Sequence, residues 1–399
     1  MYLIPYIRYT FYDQMMAALQ LNDAQIGNIG AMYGIGNLVC YLISGYLADR
    51  YNPRNLILIG TGGMAVCTFW YALFPPYGSV MIIHALYSFF SVGLWWCPYL
   101  KAVRQLFRED QQSYAYGLGE SIRGIAQAIV AFIGLAALEA AIDAVAGFRG
   151  VVLTNAIAFT IMFFAVLFLY PAGHGSGNKD VTLKDSVIHM LSYLKKRSAW
   201  ICILLIGCGY CTWVTSSTYY GTYCVRVLNM PESMSSLIAI IRNYVIVIGA
   251  GVIGGLVNDR FKKKGHGFAM FFAIGLLGSA LLFISEKNGM LMGVIMTLIA
   301  GFAFNAILST YWSTLGPAGI GADETGGATG VISLIGLSPD IFACAIVSRF
   351  IQHGEDTGNV VGGFLQMIWW MIAWSALGII ASLLLAKRQK NIEAGIAKP

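Results

Sequence analysis

Charged side chains are scarce in this chain. They make up 11% of its 399 residues, whereas a soluble domain carries about 25%. The chain is 58% hydrophobic, with a mean hydropathy of +0.69. This shortage of charge excludes an ordinary soluble domain and favours a protein embedded in lipid. The formal net charge of +6 comes from basic residues scattered over short loops, so no nucleic-acid partner is expected.

The sequence also lacks the residue arrangements that enzymes and cofactor proteins use. It contains no Ser-His-Asp arrangement, metal-ligand cluster or phosphate-binding loop, so no enzyme activity, cofactor or metal is expected. All eight cysteines fall in apolar segments, which excludes a disulfide framework on exposed loops. Cys208 and Cys211 have the spacing of a redox or metal pair. They have no partner pair, and packing in an apolar helix is their expected role.

Twelve apolar segments are long enough, at about 20 residues each, to span a bilayer. Six precede and six follow a polar connector, so the predicted domains are residues 1–171 and 198–399, joined by residues 172–197. An amphipathic run in the connector predicts a helix along the membrane surface. We therefore predict an all-α membrane protein of two six-helix bundles. Its spans are residues 1–20, 24–49, 55–74, 79–106, 113–138, 148–170, 199–225, 233–258, 266–285, 290–315, 325–351 and 361–386.

A six-residue pattern occurs twice, 210 residues apart, at the ends of predicted helices 2 and 8. The first copy is Gly45–Arg50 and the second is Gly255–Arg260, and a basic turn follows each. A repeat at about half the chain length indicates that one multi-helix unit occurs twice. In an apolar chain, two similar halves are typical of an alternating-access transporter with its binding site between the halves.

The lysines and arginines of the loops are unevenly distributed between the two sides of the predicted membrane. Most of them lie on the side of the two motifs, the connector and the C-terminal tail. Positively charged loops stay in the cytoplasm. The sequence therefore predicts a multi-pass protein of the cytoplasmic (inner) membrane with both termini in the cytoplasm. The few basic residues assigned to the opposite side are Arg149, Arg226, Lys287 and Arg349.

These features resemble the major facilitator superfamily. Two sets of six helices, with Gly45-Tyr46-Leu47-Ala48-Asp49-Arg50 and a basic turn after helix 2 and a looser copy after helix 8, carry the resemblance. It implies that the motif loops make gating contacts between helix ends in the outward-facing state. Roles confined to topology and stability remain an equal alternative. The residues concerned are Gly45, Asp49, Arg50, Arg54, Gly255, Asp259 and Arg260.

Within the superfamily, Tyr6-Ile7-Arg8 and the Asp49–Arg54 turn resemble the organic-anion and glycerol-phosphate transporter branch. Glycerol-phosphate exchangers carry a second arginine near the start of helix 7, where this chain has the uncharged run Tyr210–Val214. Phosphate exchange is therefore not implied. The glycine signatures of nitrate carriers and the helix 5 signature of drug exporters also have no match, so uptake by proton symport ranks above efflux.

The chemistry is expected from ionisable residues inside the spans, since burying a charge in hydrocarbon costs several kcal/mol. Arg8, Arg123, Arg242 and Asp340 each lie about 15 to 22 Å from a helix end, near mid-bilayer. Arg8 is the first candidate for substrate binding, because a guanidinium group binds a carboxylate or phosphate in bidentate fashion. Arg123 and Arg242 are further candidates. Structural ion pairing is the alternative for each arginine.

Two acidic residues are candidates for proton coupling. Glu120 and Arg123 are three residues apart on helix 5 and share one face. They form either a fixed ion pair or a proton switch, in which protonation of Glu120 frees Arg123 to bind an anion. Asp340 is the rival proton site, and the preceding Pro339 predicts a bend in helix 11.

Aromatic side chains in the spans are candidates to stack on a sugar or aromatic ring. Core packing and interfacial belts are the alternatives. Within the predicted spans, the basic side chains outnumber the acidic ones by one. A net positive charge of one favours a singly charged anion, or a more highly charged anion carried together with protons. The basic residues are Arg8, Lys101, Arg123 and Arg242, and the acidic residues are Asp13, Glu120 and Asp340. The aromatic candidates are Tyr12, Trp96, Tyr99 and Tyr219.

Together these residues predict a monomeric secondary transporter in the lipid bilayer. We expect proton-coupled uptake of a small organic anion, such as a sugar acid or carboxylate, by alternating access. A carrier of a neutral sugar or another polar metabolite is the alternative, with the charges serving only coupling and packing. A lipid flippase or a non-transporting membrane sensor ranks lower, because no sequence feature favours either.

Overall fold

The computed structural model describes residues 1–99, 112–170, 188, 191–320 and 325–396, and the regular structure of these residues is helical throughout. The chain divides into two compact units, Met1–Ile188 and His189–Pro399. Each unit contains one copy of the repeated motif. Much of the surface helix predicted in the connector falls outside the described residues, which there include Ile188 and residues 191–197.

In the N-terminal unit, α3 packs against α6 and α2 packs against α4. The first predicted span is not one continuous helix. A 3₁₀ turn at Ile7–Tyr9 precedes an eight-residue α1, so Arg8 lies in the turn and not in a long helix. The helices are α1 (Tyr12–Leu19), α2 (Asp23–Arg50), α3 (Pro53–Ala72), α4 (Tyr77–Tyr99), α5 (Gln112–Glu139) and α6 (Ala144–Leu169).

In the C-terminal unit, α7 is the central helix and contacts α10, α11 and α12. In the most apolar stretch of α7, 72% of the residues are buried, which positions its side chains to link several neighbours. The helices are α7 (Arg197–Arg226), α8 (Glu232–Arg260), α9 (Lys264–Asn288), α10 (Met290–Ala318), α11a (Thr325–Gly336), α11b (Pro339–Asp356) and α12 (Val360–Glu393).

Helix starts follow local sequence signals. The side chain of Asn22 accepts from the backbone N–H of Gln25, and the Gln25 side chain accepts from that of Asn22, which forms a capping box before α2. Asn52 caps α3, whose first residue is Pro53. The missing N–H of a proline has no cost at that position. Asp143 caps α6 through the N–H of Ala146.

Further departures from regular α geometry lie inside the predicted spans, including a 3₁₀ segment at Tyr311–Thr314 in α10. π-Helical segments occupy Phe89–Trp96 in α4 and Ile241–Val245 in α8, and such segments are frequent at functional sites. Helix 11 is interrupted at Leu337–Ser338, and α11b begins at Pro339. The predicted span over residues 325–351 therefore consists of two helices. The bend predicted at Pro339 is present as a full break between two helices.

Ten helices in the described part of the chain are long and apolar enough to cross a membrane. Many serine and threonine hydroxyl groups within them donate to a carbonyl of their own helix, as expected where no water is present. Thr61, Thr68 and Ser91, for example, each donate to the carbonyl four residues earlier. The chain is a multi-pass membrane protein.

Candidate functional site

Arg242 lies in the π-helical segment of α8 and is almost fully buried, with 1% of its surface exposed. Its guanidinium carbon lies 5.8 Å from the centre of the Tyr220 ring, which gives a cation–π contact. No hydrogen-bond partner for any of the three guanidinium nitrogens occurs among the described residues. A buried cation without acceptors has a large desolvation cost, so the site is suited to an anion that supplies them.

Gly301 of α10 makes room for this side chain. A Cβ atom on Gly301 would lie 2.6 Å from Cγ and 2.7 Å from Cδ of Arg242, which is closer than real contacts allow. Glycine therefore lets the aliphatic part of Arg242 cross the backbone of α10. On the opposite side, the Tyr220 hydroxyl is 2.7 Å from Oγ of Ser279, which holds the ring in place.

Asn305 fixes the backbone beside Arg242. Its side-chain amide donates to the carbonyl of Arg242 at 3.2 Å and to the carbonyl of Gly301 at 2.8 Å. A π-helical segment breaks the regular i to i−4 pattern and leaves backbone carbonyls in need of other donors. The buried amide supplies one. Asn305 thus ties the irregular segment of α8 to α10.

A row of polar groups continues from Asn305 toward the break in helix 11. The Asn305 side-chain oxygen accepts from the indole N–H of Trp213 at 3.0 Å, and the Trp213 ring packs against Tyr210 with centroids 5.5 Å apart. The Tyr210 hydroxyl donates to a carboxylate oxygen of Asp340 at 2.8 Å. We call Arg242, Asn305, Trp213, Tyr210 and Asp340 the C-terminal polar row.

Asp340 is buried in the first turn of α11b. A carboxylate there is favoured electrostatically, because the helix N-terminus carries a partial positive charge. Pro339 is the first residue of the helix, where its lack of a backbone N–H leaves no donor unsatisfied. The break in helix 11 therefore positions an acid at the end of the C-terminal polar row that begins with Arg242.

Four residues around Arg242 and Asp340 were not selected from the sequence: Asn305, Trp213, Tyr210 and Tyr220. Asn305 had a signal, since an amide in an otherwise apolar span is expected to be bound to something. Tyr219, which was selected, is also buried, but its hydroxyl donates to the carbonyl of Cys344 at 3.0 Å. The ring that contacts Arg242 belongs to its neighbour Tyr220.

Arg8 lies in the 3₁₀ turn of the N-terminal unit and is 2% exposed. Its guanidinium carbon lies 5.2 Å from the Tyr6 ring centre and 5.0 Å from that of Tyr9, and Nη1 donates to the carbonyl of Pro5 at 2.9 Å. A Cβ atom on Gly30 of α2 would lie 3.0 Å from the guanidinium carbon. Arg8 is therefore held between two phenol rings and a glycine of α2.

The other N-terminal candidates occupy different surroundings. The Tyr12 hydroxyl donates to Asp23 at 2.8 Å and links α1 to the start of α2. Trp96 and Tyr99 belong to an aromatic cluster at the end of α4, where Tyr99 stacks on Trp95 with centroids 4.5 Å apart. Stacking of Trp96 and Tyr99 on a substrate ring remains a prediction.

Helix α5 carries the predicted Glu120 and Arg123 pair. The backbone of both residues is helical, and Arg123 is partly buried. The side chain of Glu120 lies outside the described residues, so the pairing stays a prediction.

The motif residues differ in their described contacts. Arg54 donates from Nε to the carbonyl of Tyr170 and from Nη2 to that of Leu167, both at 2.8 Å, and so binds the C-terminal end of α6. In the second copy, Asp259 pairs with Lys264 at the start of α9. Arg260 is exposed and Gly255 has open space around it. The side chains of Gly45, Asp49 and Arg50 lie outside the described residues.

Metal-ion binding has no support in the described part of the chain, where no group of three or more His, Cys, Asp or Glu residues could hold an ion. His84 is buried in α4, and its Nδ1 lies 2.9 Å from the carbonyl of Val80.

The chain is similar in sequence to known membrane proteins. The sequence profile of the Major Facilitator Superfamily matches residues 3–343. The inner membrane protein YqcE of Escherichia coli K12 is 23% identical over 387 residues, which is 94% of this chain and 89% of the relative. The probable nitrate/nitrite antiporter NarK1 of Thermus thermophilus is 25% identical over 280 residues, which is 67% of this chain and 60% of the relative.

Solved structures share the fold. The crystal structure of a D-xylose-proton symporter superposes with a TM-score of 0.70 at 15% sequence identity, over 96% of this chain and 93% of the other. Such a match at low identity shows that the architecture is common to both chains. It confirms the predicted all-helical fold with two bundles.

Proposed function

This chain belongs to the major facilitator superfamily of membrane transporters, and from that premise we propose that it takes up a small organic anion together with protons. The substrate class is a sugar acid or another small carboxylate, moved by alternating access. The proposed setting is the cytoplasmic membrane, with both termini in the cytoplasm and the protein acting as a monomer. Within the superfamily, we propose the organic-anion and glycerol-phosphate branch.

One observation carries the anion proposal: the buried guanidinium of Arg242, with no acceptor for its nitrogens among the described residues. In the low-dielectric interior of a membrane protein, such a group is stabilised by a negative partner. A carboxylate matches the planar fork of arginine with two parallel hydrogen bonds. The Tyr220 ring covers the guanidinium and leaves its in-plane N–H donors to be bound by oxygen.

Arg8 supports the same substrate class from the N-terminal unit. Its guanidinium lies against two phenol rings, and one nitrogen donates to the Pro5 carbonyl. Both buried arginines thus make cation–π contacts with aromatic rings. We propose that Arg8 and Arg242 each bind substrate. Arg123 remains the third candidate.

Asp340 is the proposed proton site of the C-terminal unit, and Glu120 remains the rival in the N-terminal unit. The Tyr210 hydroxyl donates to the Asp340 carboxylate, and that carboxylate lies next to the break in helix 11. A change of its protonation state alters the hydrogen bond to α7. We propose that this change couples the proton to movement of α11b.

A neutral sugar or another polar metabolite is the second candidate substrate. The amide of Asn305, the indole of Trp213 and the phenol of Tyr210 are groups that bind sugar hydroxyls well. The D-xylose-proton symporter has the same fold, which is compatible with this alternative. In that case Arg242 and Arg8 serve packing and coupling. A lipid flippase has no supporting observation.

A ligand screen with matched variants separates these proposals. Purified protein is heated with carboxylates, sugar acids, phosphates or neutral sugars, and stabilisation identifies ligands, because a ligand that binds the native state raises its unfolding temperature. We expect stabilisation by sugar acids or carboxylates that is lost in Arg242→Ala and strongly reduced in Arg242→Lys, which retains the charge but not the bidentate fork.

Arg226→Lys is the matched control. Arg226 lies at the end of α7 and pairs with Glu355 at 3.2 Å, so it has its own carboxylate partner. The control is expected to retain the ligand response. Undiminished stabilisation of Arg242→Ala by anions contradicts the site assignment. Stabilisation by neutral sugars alone contradicts the anion proposal and favours the second candidate.

Uptake into proteoliposomes tests the coupling. An inward proton gradient is expected to drive accumulation of the anion above its external concentration. Uptake that does not respond to the gradient contradicts symport and leaves facilitated diffusion or exchange as the mechanism.

A further inference from the structure

A cavity of about 490 Å³ lies between the first turns of α7 and the C-terminal part of α12. Both helices belong to the C-terminal unit. The cavity is at the end of this unit that carries the second motif, because Lys263 pairs with Glu393 of α12 and the backbone N–H of Lys264 donates to Gln389. This is the end that the sequence predicts to be cytoplasmic.

The rim of the cavity is basic. Arg197 is the first residue of α7, while Lys387 and Arg388 lie in the last turns of α12. Arg197 and Lys387 are exposed. The Arg388 side chain is oriented by two hydrogen bonds, from Nε to the carbonyl of Ala318 and from Nη2 to the hydroxyl of Ser198, both at 3.3 Å.

The floor of the cavity is apolar and faces away from the protein core. Trp200, Leu204 and Leu384 line it and are 50%, 39% and 41% exposed. The indole N–H of Trp200 donates to the carbonyl of Leu194 at 2.8 Å, so the ring is fixed at the end of the helix. Tryptophan in this position is typical of the boundary between headgroups and acyl chains.

The cavity combines a cationic rim with an exposed apolar floor, and a phospholipid can bind to both. A phospholipid headgroup carries the negative charge, and its acyl chain covers apolar side chains that otherwise contact bulk lipid. A soluble phosphate compound would contact only the basic rim. A neutral lipid would contact only the apolar floor. The combination of rim and floor therefore favours an anionic phospholipid.

We propose that this cavity binds the headgroup of an anionic phospholipid, with phosphatidylglycerol as the test ligand, from the leaflet at this end of the C-terminal unit. The phosphate is bound by Arg197, Lys387 and Arg388, and the first part of an acyl chain lies along Leu204 and Leu384. The bound lipid bridges the start of α7 and the end of α12. This site is separate from Arg242 and does not depend on the transported substrate.

The test compares two double variants of the full-length protein in detergent. Arg197→Gln/Lys387→Gln removes two charges from the cavity rim. Lys262→Gln/Lys390→Gln removes the same number of charges from exposed positions at the same end that do not line the cavity. Each protein is titrated with phosphatidylglycerol, phosphatidylcholine, glycerol phosphate or inorganic phosphate, and the unfolding temperature is recorded.

Phosphatidylglycerol is expected to stabilise the unaltered protein and the Lys262/Lys390 control, and phosphatidylcholine to have little effect. For the same rise in unfolding temperature, Arg197→Gln/Lys387→Gln is expected to need a phosphatidylglycerol concentration at least roughly tenfold higher. An equal response in both variants overturns the proposal, because general surface charge then explains the effect. Equal stabilisation by glycerol phosphate or inorganic phosphate overturns it as well, since the ligand is then soluble.

Fluorescence quenching provides a second measurement that does not depend on the stability of a charge variant. Phosphatidylglycerol with brominated acyl chains quenches tryptophans that it contacts. The difference in quenching between the unaltered protein and Trp200→Phe isolates the contribution of the cavity floor. We expect Trp200 to be quenched by brominated phosphatidylglycerol at lower lipid fractions than by brominated phosphatidylcholine. Identical quenching by the two lipids contradicts a specific site.

Discussion

The hydroxyl of Tyr210 in α7 donates a 2.8 Å hydrogen bond to the carboxylate of Asp340, the second residue after the break in helix 11. Through Trp213 and Asn305 the same polar row continues to the backbone of Arg242. A candidate proton site and a candidate anion site are therefore connected within one unit by four helices. This connection suggests how protonation at one end can influence binding at the other.

Replacement of Asp340 by Asn is expected to abolish accumulation driven by a pH gradient, because the amide cannot take up and release a proton. Exchange of labelled for unlabelled substrate across proteoliposomes is expected to persist, since it requires no net proton movement. Asp356→Asn is the matched control, as Asp356 is exposed at the other end of α11b. Normal accumulation by the Asp340 variant contradicts the assignment and directs the same test to Glu120.

Gly301→Ala is expected to weaken anion binding by about tenfold, the size of effect caused by moderate overpacking. The added methyl group overlaps Cγ and Cδ of Arg242 and displaces the guanidinium. Gly249→Ala in α8 is the control, because a Cβ atom there meets open space. Ligand titration followed by thermal unfolding measures both. Equal affinities for the two variants contradict a role for Arg242 in binding.

Trp213→Phe removes the indole donor to Asn305 while retaining an aromatic ring. We expect a loss of about 1 to 2 kcal/mol in stability, because a buried amide oxygen loses its partner, together with weaker ligand binding. Trp369→Phe is the control, since Trp369 is 63% exposed and packs against Phe283. Thermal unfolding with and without ligand distinguishes the two contributions. Unchanged ligand affinity in Trp213→Phe contradicts a contribution of the Trp213–Asn305 hydrogen bond to the anion site.

Arg54→Gln removes two charged hydrogen bonds to the end of α6. Positive charge is favourable at a helix C-terminus, and charged hydrogen bonds contribute about 1.5 to 3 kcal/mol each when buried. Because Arg54 is only partly buried, we expect a total loss of about 1 to 3 kcal/mol in the N-terminal unit. Arg149→Gln, an exposed arginine over the Phe74 ring, should have a smaller effect in the same melting experiment.

The helical fold could be predicted from the sequence because hydropathy alone reports it. A span of about 20 apolar residues has few alternatives in a membrane, and the repeated motif divides the chain into halves. Most departures from regular helices could not be located. Pro339 indicated a bend, but the π-helical segment around Arg242 has no simple sequence signal, since it depends on donors such as Asn305 from another helix.

The charged residues of the candidate site could be predicted from the sequence, but the side chains that contact them could not. A buried arginine or aspartate is conspicuous in an apolar span, so Arg8, Arg242 and Asp340 could be selected by residue type and depth. Which side chain contacts them is decided by the packing of distant segments. Tyr219 and Tyr220 are adjacent and equally aromatic, yet only the ring of Tyr220 is under Arg242. Helix rotation decides between them, and one sequence does not report it.

Gly30→Ala tests Arg8 without altering its charge. A Cβ atom on Gly30 would lie 3.0 Å from the guanidinium carbon and 3.1 Å from Nε and Nη2, so the arginine must shift against the Tyr6 and Tyr9 rings. We expect anion affinity to fall several-fold while the unfolding temperature without ligand changes little. Gly78→Ala, which meets open space in the same unit, is the control. If Arg8 serves only packing, Gly30→Ala should lower stability and leave ligand affinity unchanged, and Arg8→Lys should then bind the anion as well as the unaltered protein does.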